Sequence, residues 1–333
     1  MKHKILFVER KPSEYVSIER VFQQIAKDLP EGRFEIERQS MPYGNGIFGT
    51  FLNLLFFRPK PADIYHITGQ VHYIALRLPK NKTVLTIHDL VFLHRRSGLR
   101  RLVLKWLFLK LPLKKLDFVT TVSRSTKDEI LKYNFIDEQK IRVIENPIIE
   151  GFEPRDEKPF DENCPVILQI GTAENKNLVN LIHALHGIKC KLRIIGRLDA
   201  KISETLSSCA IKYENTSGLD QKDIAEEYRK ADIVAFCSTY EGFGLPIIEA
   251  HAMHKPIITS DRSPMKEVAG TGACLVDPDD VLSIRSGLQK IINDPEYRTS
   301  LIEQGKKNVH RFDGKKVAAQ YADLYNDILI CRS

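Results

Sequence analysis

Short β-branched apolar runs alternate with longer amphipathic ones along this chain. The first series predicts strands at Ile5–Val8, Ile64–Ile67, Thr83–Ile87, Phe118–Val122 and Ile141–Ile144. A second series predicts strands at Val166–Ile170, Lys191–Ile195, Ala210–Tyr213, Ile233–Phe236, Pro256–Thr259 and Ala273–Val276. Helical spacing recurs between them, for example over Ile18–Leu29, Thr126–Tyr133, Asn177–Leu185, Gln221–Lys230 and Leu245–His254, and again over Lys315–Ile330. Near-continuous apolar strands separated by helices signal parallel sheets covered on both faces. Two such series predict an α/β chain with two doubly wound sheets. The proline- and charge-rich stretch Asn146–Cys164 has no periodicity and reads as the linker. The expected domains are 1–150 and 160–315, with a terminal helix of about 316–333 able to pack back on the first. A length of 333 residues suits two domains, each large enough for its own core.

Charge divides the chain unevenly. Residues 1–150 carry 26 Lys and Arg against 16 Asp and Glu, a net +10; residues 151–333 carry 24 against 27, a net −3. The two halves are therefore expected to meet different partners. The longest apolar stretches, Gly46–Phe57 and Leu102–Leu113, fall short of the roughly 20 residues that a spanning helix needs. The run Ile5–Val8 is too short for a signal-peptide core. Six cysteines lie far apart with no C-x-x-C, which argues against a zinc site or a disulfide scaffold. A cytoplasmic protein with reduced thiols is the expectation.

In open α/β sheets ligands bind beyond the carboxyl ends of the strands. The segment Ser238–His254 occupies such a place. Gly242 and Gly244 permit a tight turn with close backbone approach, and Pro246 suits the first helical residue. Loop amides and a helix N-terminus then converge on an anion site fit for a phosphate or diphosphate. Glu241 and Glu249 bracket it.

The pattern E-G-F-G-L-P-x-x-E-A, with Glu241 and Glu249 eight residues apart, resembles the signature of retaining nucleotide-sugar glycosyltransferases of the GT-B fold. It is most similar to glycosyltransferase family 4, also called group 1. That resemblance implies two Rossmann-like domains facing each other across a cleft. It implies donor contacts from Glu241 at the sugar, from Gly242, Phe243, Gly244 and Leu245 at sugar and diphosphate, and from Glu249 at the ribose hydroxyls. The loop Gln169–Leu178 is similar to the family's phosphate loop, with Lys176 as the cation on the diphosphate, Gly171 and Thr172 beneath it, and Asn177 capping the next helix. The family often has Arg-Lys where this chain has Asn175-Lys176, so Arg197 is the candidate second cation. Ser217, Gly218 and Leu219 fall where the family reads the nucleobase.

Thr86–Leu90 contains the His-Asp pair that the family often has, with the histidine reaching the donor sugar. His88 is thus assigned, beside Lys176 and Glu241, to the catalytic set, with Asp89 orienting it or capping a helix. The acceptor side is assigned to Thr68, Gly69, His88 and Asp89; His66, Gln70, His72 and Tyr73 are also available there, the last two equally as core. The loop Glu9–Ser17 lacks the family's usual Gly-Gly pair, so the acceptor is expected to approach differently. Asp277-Pro-Asp279 looks like a metal-binding D-x-D, but it follows a strand and reads as a turn; no metal and no cofactor are expected.

Residues His94–Leu116 hold eight Lys and Arg and no acid, interleaved with Leu102, Val103, Trp106, Leu107, Leu109 and Leu113. A basic face beside an apolar one suits an anionic membrane surface, seated through Arg95–Lys115. No nucleic-acid motif accompanies the charge. The expected activity is transfer of a hexose or N-acetylhexosamine from a UDP- or GDP-sugar to a glycan or lipid-linked acceptor, with retention, as in bacterial surface polysaccharide synthesis. The enzyme is then cytoplasmic and peripheral on the inner face of the membrane. The alternatives are another GT-B enzyme such as a sugar-nucleotide epimerase, and a non-catalytic nucleotide-binding surface protein.

Overall fold

A computed structural model describes residues 2–12, 17–44, 46–94, 96–155 and 159–330. The chain divides into two compact units, 1–147 with 313–333, and 148–312. The first holds strands β1 (His3–Glu9), β2 (Phe34–Ser40), β3 (Ile64–Ile67), β4 (Thr83–Ile87), β5 (Phe118–Thr121) and β6 (Ile141–Val143). The second holds β7 (Val166–Ile170), β8 (Lys191–Ile195), β9 (Tyr213–Thr216), β10 (Ile233–Phe236), β11 (Ile257–Ser260) and β12 (Cys274–Val276). The helices of the first unit are α1 (Ser17–Asp28), α2 (Ile47–Phe56), α3 (Val91–His94), α4 (Gly98–Leu104), α5 (Leu111–Lys115) and α6 (Arg124–Leu131). A π-helical stretch, Lys105–Lys110, joins α4 to α5, and a 3₁₀ segment, His72–Arg77, precedes β4. The second unit adds α7 (Leu178–Leu185), α8 (Ala200–Ser208), α9 (Gln221–Lys230), α10 (Leu245–Ala252), α11 (Met265–Ala269), α12 (Val281–Asn293) and α13 (Pro295–Val309). The chain then returns to the first unit as α14 (Gly314–Ile330).

Both sheets are wholly parallel. Their orders are β2-β1-β3-β4-β5-β6 and β12-β11-β10-β7-β8-β9. Strand order reverses between β1 and β3 in one and between β7 and β10 in the other. Loops leaving adjacent strands at such a point diverge to opposite faces and leave a crevice there. The central strands are buried from end to end, as in Ile5–Glu9 and Ile233–Phe236, which explains their unbroken apolar runs.

Two strands depart from the sequence pattern. β2, Phe-Glu-Ile-Glu-Arg-Gln-Ser, alternates apolar with charged residues because it is an edge strand with a wet side; it was not among the predicted runs. β9 lies at Tyr213–Thr216 rather than Ala210–Tyr213, and as an edge strand it is largely exposed and carries little apolar signal. The stretch 146–164, of which 156–158 lie outside the described residues, is packed down near its start. The crossing falls at Pro147-Ile148, and beyond it Ile149 and Phe152 are buried, Phe152 edge-on to Tyr228 with centroids 5.4 Å apart.

The core of the first unit includes a polar knot. His66 accepts or donates at both ring nitrogens, to Tyr325 Oη at 2.7 Å and Thr86 Oγ1 at 2.7 Å. Phe22 and Phe7 stand edge-on to the same ring at 5.1 and 5.5 Å. Tyr321 and Tyr325 come from α14, so that helix supplies part of the core around β1 and β3. His66, a candidate for the acceptor side, is instead enclosed, and burial pushes its pKa down to about 3. Among the described residues no helix is long and apolar enough to cross a membrane. Cys164, Cys190, Cys209, Cys237 and Cys274 are free thiols; Cys331 lies outside the described residues.

Candidate active site

The switch point of the second sheet brings two loops together. One follows β7 and carries Gly171–Asn177; the other follows β10 and carries Cys237–Gly244. Lys176 Nζ meets Glu241 Oε1 at 2.7 Å, although the two residues are 65 apart in sequence. The lysine stem crosses Gly171, and its ammonium lies 4.9 Å from the centre of the Phe236 ring. Asn175 braces the same loop: its Nδ2 donates to the Tyr240 carbonyl at 3.0 Å and to Glu241 Oε1 at 3.3 Å, and its own carbonyl accepts from the Thr239 amide at 2.9 Å. The pair is only partly exposed, at 23% for the lysine side chain and 14% for the glutamate. Partial burial shields this charge-assisted contact from solvent screening.

Asn177 was expected to cap α7 with its side chain. It holds a left-handed conformation, φ +58°, and its Nδ2 donates instead to the carbonyls of Cys237, at 3.0 Å, and Pro278, at 2.6 Å. The asparagine thus ties three loops together rather than closing one helix. Thr172 Oγ1 donates to the Arg197 carbonyl at 2.6 Å, which binds the loop after β7 to that after β8. Arg197 is exposed. Ser217 and Gly218 are also exposed, and Leu219 half-buried, in the turn between β9 and α9.

Gly244 opens α10 at φ +111°, where a side chain would be strained and a Cβ would press on Ile247 Cδ1 at 3.1 Å. Pro246 then occupies the first turn, with its missing N–H costing nothing. Gly242 and Leu245 are half-buried, whereas Phe243 is buried edge-on to Phe312 at 5.7 Å and acts as an anchor of the loop. One turn into α10, Glu249 Oε2 accepts from Tyr228 Oη at 2.6 Å. Tyr228 is fully buried; burial, and then the neighbouring Glu249 charge, hold its pKa well above the usual phenol value, so it stays a donor. Sequence reasoning did not single out Tyr228. Its signal was a lone aromatic on the inward side of a helix otherwise rich in charge, and the partner across the loop is visible only in three dimensions.

Asp277 and Asp279 do form a turn. The Asp279 amide donates to Asp277 Oδ1 at 3.0 Å, and Arg262 Nη2 bridges both carboxylates at 3.0 and 2.6 Å. Among the described residues no group of three or more His, Cys, Asp or Glu side chains is arranged to hold a metal ion.

In the first unit, Thr68 and Gly69 end β3 at that sheet's switch point. A Cβ on Gly69 would lie 2.6 Å from the Arg10 amide nitrogen, so glycine lets the β3 loop pass the β1 loop. Arg10 is itself clamped to Glu19 by bonds of 2.7 and 3.1 Å. His88 lies at the end of β4, 6% exposed, with Nε2 on the Thr68 carbonyl at 2.8 Å. Burial lowers its pKa to about 4, opposed in part by the hydrogen bond to the Thr68 carbonyl and aided to a smaller extent by the Arg10 charge. Asp89 accepts from the Val91 amide at 2.9 Å, starting α3, and from Gln70 Nε2 at 3.1 Å. His72 and Tyr73 are core residues, His72 Nδ1 on the Phe108 carbonyl at 2.9 Å and Tyr73 Oη accepting from Asn53 Nδ2 at 2.8 Å. Of the loop Glu9–Ser17, residues 13–16 lie outside the described residues, as does Arg95. Lys115 leaves the basic face of its segment: its Nζ donates to the Leu76 and Leu78 carbonyls at 3.0 and 2.7 Å, and burial lowers its pKa.

Comparison with known proteins assigns each unit a counterpart. The sequence pattern described as Glycosyl transferases group 1 matches residues 152–308, and that described as Glycosyltransferase Family 4 matches residues 24–150. An O-antigen chain mannosyltransferase of Salmonella typhimurium is 31% identical over 229 residues, covering 66% of this chain and 63% of that relative. An N-acetylgalactosaminyltransferase of Campylobacter jejuni, acting on a diphospho-undecaprenol-linked sugar, is 25% identical over 320 residues, covering 89% and 87%. The crystal structure of Anabaena HepE in complex with UDP-glucose superposes with a TM-score of 0.76 at 18% identity, covering 98% of this chain and all of that one, which establishes a shared fold. The matches span less than two thirds of the length of several relatives, the Salmonella enzyme included. Together the two family patterns account for both sheets in chain order, and the chain belongs to the group 1 glycosyltransferases, with the GT-B fold.

Proposed function

We propose that this protein transfers a hexose or N-acetylhexosamine from a UDP- or GDP-sugar to a glycan or lipid-linked acceptor, with retention of configuration, in surface polysaccharide synthesis. The observation that carries the reading is the Lys176–Glu241 contact at the sheet's switch point, on the loop that leads into α10. As the glycosidic bond breaks, negative charge develops on the departing diphosphate. The Lys176 ammonium and the N-terminal end of α10 are the groups proposed to stabilise that charge. Glu241, sharing that ammonium, is the group at the donor sugar, where a carboxylate can hold hydroxyls and balance positive charge at the anomeric carbon. Glu249, fixed by Tyr228, holds the ribose hydroxyls.

The two carboxylates have different partners, which supports different tasks and argues against the paired nucleophile and acid of retaining glycosidases. A front-side displacement, in which the departing phosphate takes the acceptor proton, fits this division. His88 is proposed to face the donor sugar as a neutral imidazole, as its depressed pKa requires at ordinary pH. No metal or cofactor takes part in this scheme. The basic stretch 94–116 is proposed to seat the enzyme on the anionic inner face of the membrane.

The test is a thermal-shift and calorimetric screen with UDP, GDP, ADP and their sugars, followed by NMR of the product's anomeric proton. A ligand at about 100 times its dissociation constant raises stability by about 2.7 kcal/mol. Absence of a shift with every nucleotide would overturn the donor site, and an inverted product would overturn retention.

A further inference from the structure

We infer that α2, the helix Ile47–Phe56, is a lipid-inserting element, and that with the basic segment 96–114 it forms one docking surface for an anionic bilayer. The inference rests on the proposed membrane seat of that segment and adds to it a hydrocarbon-penetrating part. The sequence of α2 is Ile-Phe-Gly-Thr-Phe-Leu-Asn-Leu-Leu-Phe, without a single charge. Its polarity is inside out. Thr50 and Asn53 are its buried residues, and Asn53 is tied by Nδ2 to Tyr73 Oη at 2.8 Å and to the Tyr43 carbonyl at 3.1 Å. The outward side carries Ile47, Phe48, Phe51, Leu55 and Phe56, with Ile47 and Phe48 exposed at 76% and 74%. Positions 47, 48, 51 and 55 share one face of a helix. An outward apolar stripe of this size on a water-facing helix marks an interaction site.

The basic segment adjoins it. Tyr73, on the 3₁₀ turn His72–Arg77, bonds Asn53 of α2 and also packs its ring 5.0 Å from that of Phe108 in the π-helical stretch. Beyond Phe108 the segment exposes Leu99, Leu102, Val103 and Trp106 among Arg96, Arg100 and Arg101, and Lys110 lies 3.5 Å over the Trp106 ring. No acidic residue occurs between 90 and 116. At the carboxyl end of α2, exposed Arg58 donates to the Leu55 carbonyl at 3.0 Å and places a cation at the helix end. Large apolar side chains ringed by cations, with no anion among them, complement acyl chains beneath phosphate headgroups. Charge selects the occupant, because a protein partner's apolar patch alone would leave the cations unmatched.

The experiment uses the full chain and vesicles of phosphatidylcholine, alone or mixed equally with phosphatidylglycerol. Trp106 is the single tryptophan, so Phe48→Trp with Trp106→Phe moves the only indole to α2. With brominated lipids in the mixed vesicles, that indole is expected to be quenched. Phe48→Glu with Phe51→Glu is expected to weaken partition by about tenfold or more, while nucleotide-induced thermal shifts show that the variant is folded. Sedimentation with mixed vesicles but an unquenched indole would overturn insertion of α2 and leave the basic seat standing. Quenching that ignores phosphatidylglycerol would uphold insertion and overturn the basic seat. No sedimentation at low salt overturns both. A concentration-dependent dimer, abolished by the double glutamate variant and unaffected by vesicles, overturns the proposal in favour of a second copy.

Discussion

Lys176 and Glu241, carried by loops from two neighbouring strands of one sheet, meet at 2.7 Å and are braced by the same asparagine, Asn175. The proposed diphosphate cation and the proposed sugar-facing carboxylate are therefore coupled in the free protein. Lys176→Ala is expected to lower kcat/KM by about ten- to a hundredfold, the loss of one charge-assisted contact. Because the partners touch, the losses from Lys176→Ala and Glu241→Gln should fall short of additive in the double variant. Steady-state kinetics of the four proteins checks this; full activity of Lys176→Ala would move the diphosphate cation elsewhere, to Arg197 first.

Tyr228 gives Glu249 its orientation, and the two should fail in graded fashion. Glu249→Ala is expected to weaken donor binding strongly, by about a hundredfold, and Tyr228→Phe by about tenfold, since it removes one hydrogen bond to a charged group. Calorimetry with the nucleotide diphosphate measures both. Unchanged donor affinity in Glu249→Ala would sink the ribose assignment.

Gly244→Ala forces a Cβ into a left-handed position 3.1 Å from Ile247 Cδ1. A destabilisation of about 1–3 kcal/mol is expected, together with weaker nucleotide binding, because the strained residue opens the helix at the proposed phosphate site. Wild-type melting and binding would show that the loop relaxes without cost.

Activity should survive EDTA. The two carboxylates of Asp277 and Asp279 are engaged by Arg262, and in the proposed scheme Lys176 meets the diphosphate in place of a metal. Loss of turnover on chelation, restored by a divalent cation, would refute the metal-free scheme.

Stability should fall as pH drops from about 6.5 toward 4. His66, His72, His88 and His251 are buried, and burial lowers their pKa to about 3, 4, 4 and 4. Through that window the unfolded chain binds protons that the folded chain does not, so acid favours unfolding. His251→Gln, which removes one such group, should flatten the slope; melting curves from pH 7 to about 4 test this, and an unchanged slope would rule out a role for His251.

The buried strands and the glycine loop could be read from the sequence because each depends on a local signal: an unbroken apolar run, or glycines and a proline at fixed spacing. What could not be read is pairwise. Nothing near Tyr228 in the chain announces Glu249, and Asn177 looks like a cap until the Cys237 and Pro278 carbonyls are seen beside it. His66 looked like a ligand-facing histidine because it ends a strand, but its partner, Tyr325, is 259 residues away. β2 went unread because edge strands share their pattern with loops. α2 was judged only by its length, too short to span a bilayer, and its apolar character acquired meaning once Thr50 and Asn53 were seen to face inward.

The return of α14 to the first unit sets an order of assembly. Residues 148–312 are contiguous, and their ends are joined by a bond of 2.8 Å from the Ile148 amide to the Phe312 carbonyl. That unit can close as soon as its own stretch has left the ribosome. The first unit cannot: His66 lacks its Nδ1 partner, Phe22 lacks the Tyr321 ring and Phe34 the Tyr325 ring, until α14 emerges. The half made first is thus completed last, and during synthesis its open core is the part that needs shelter from aggregation.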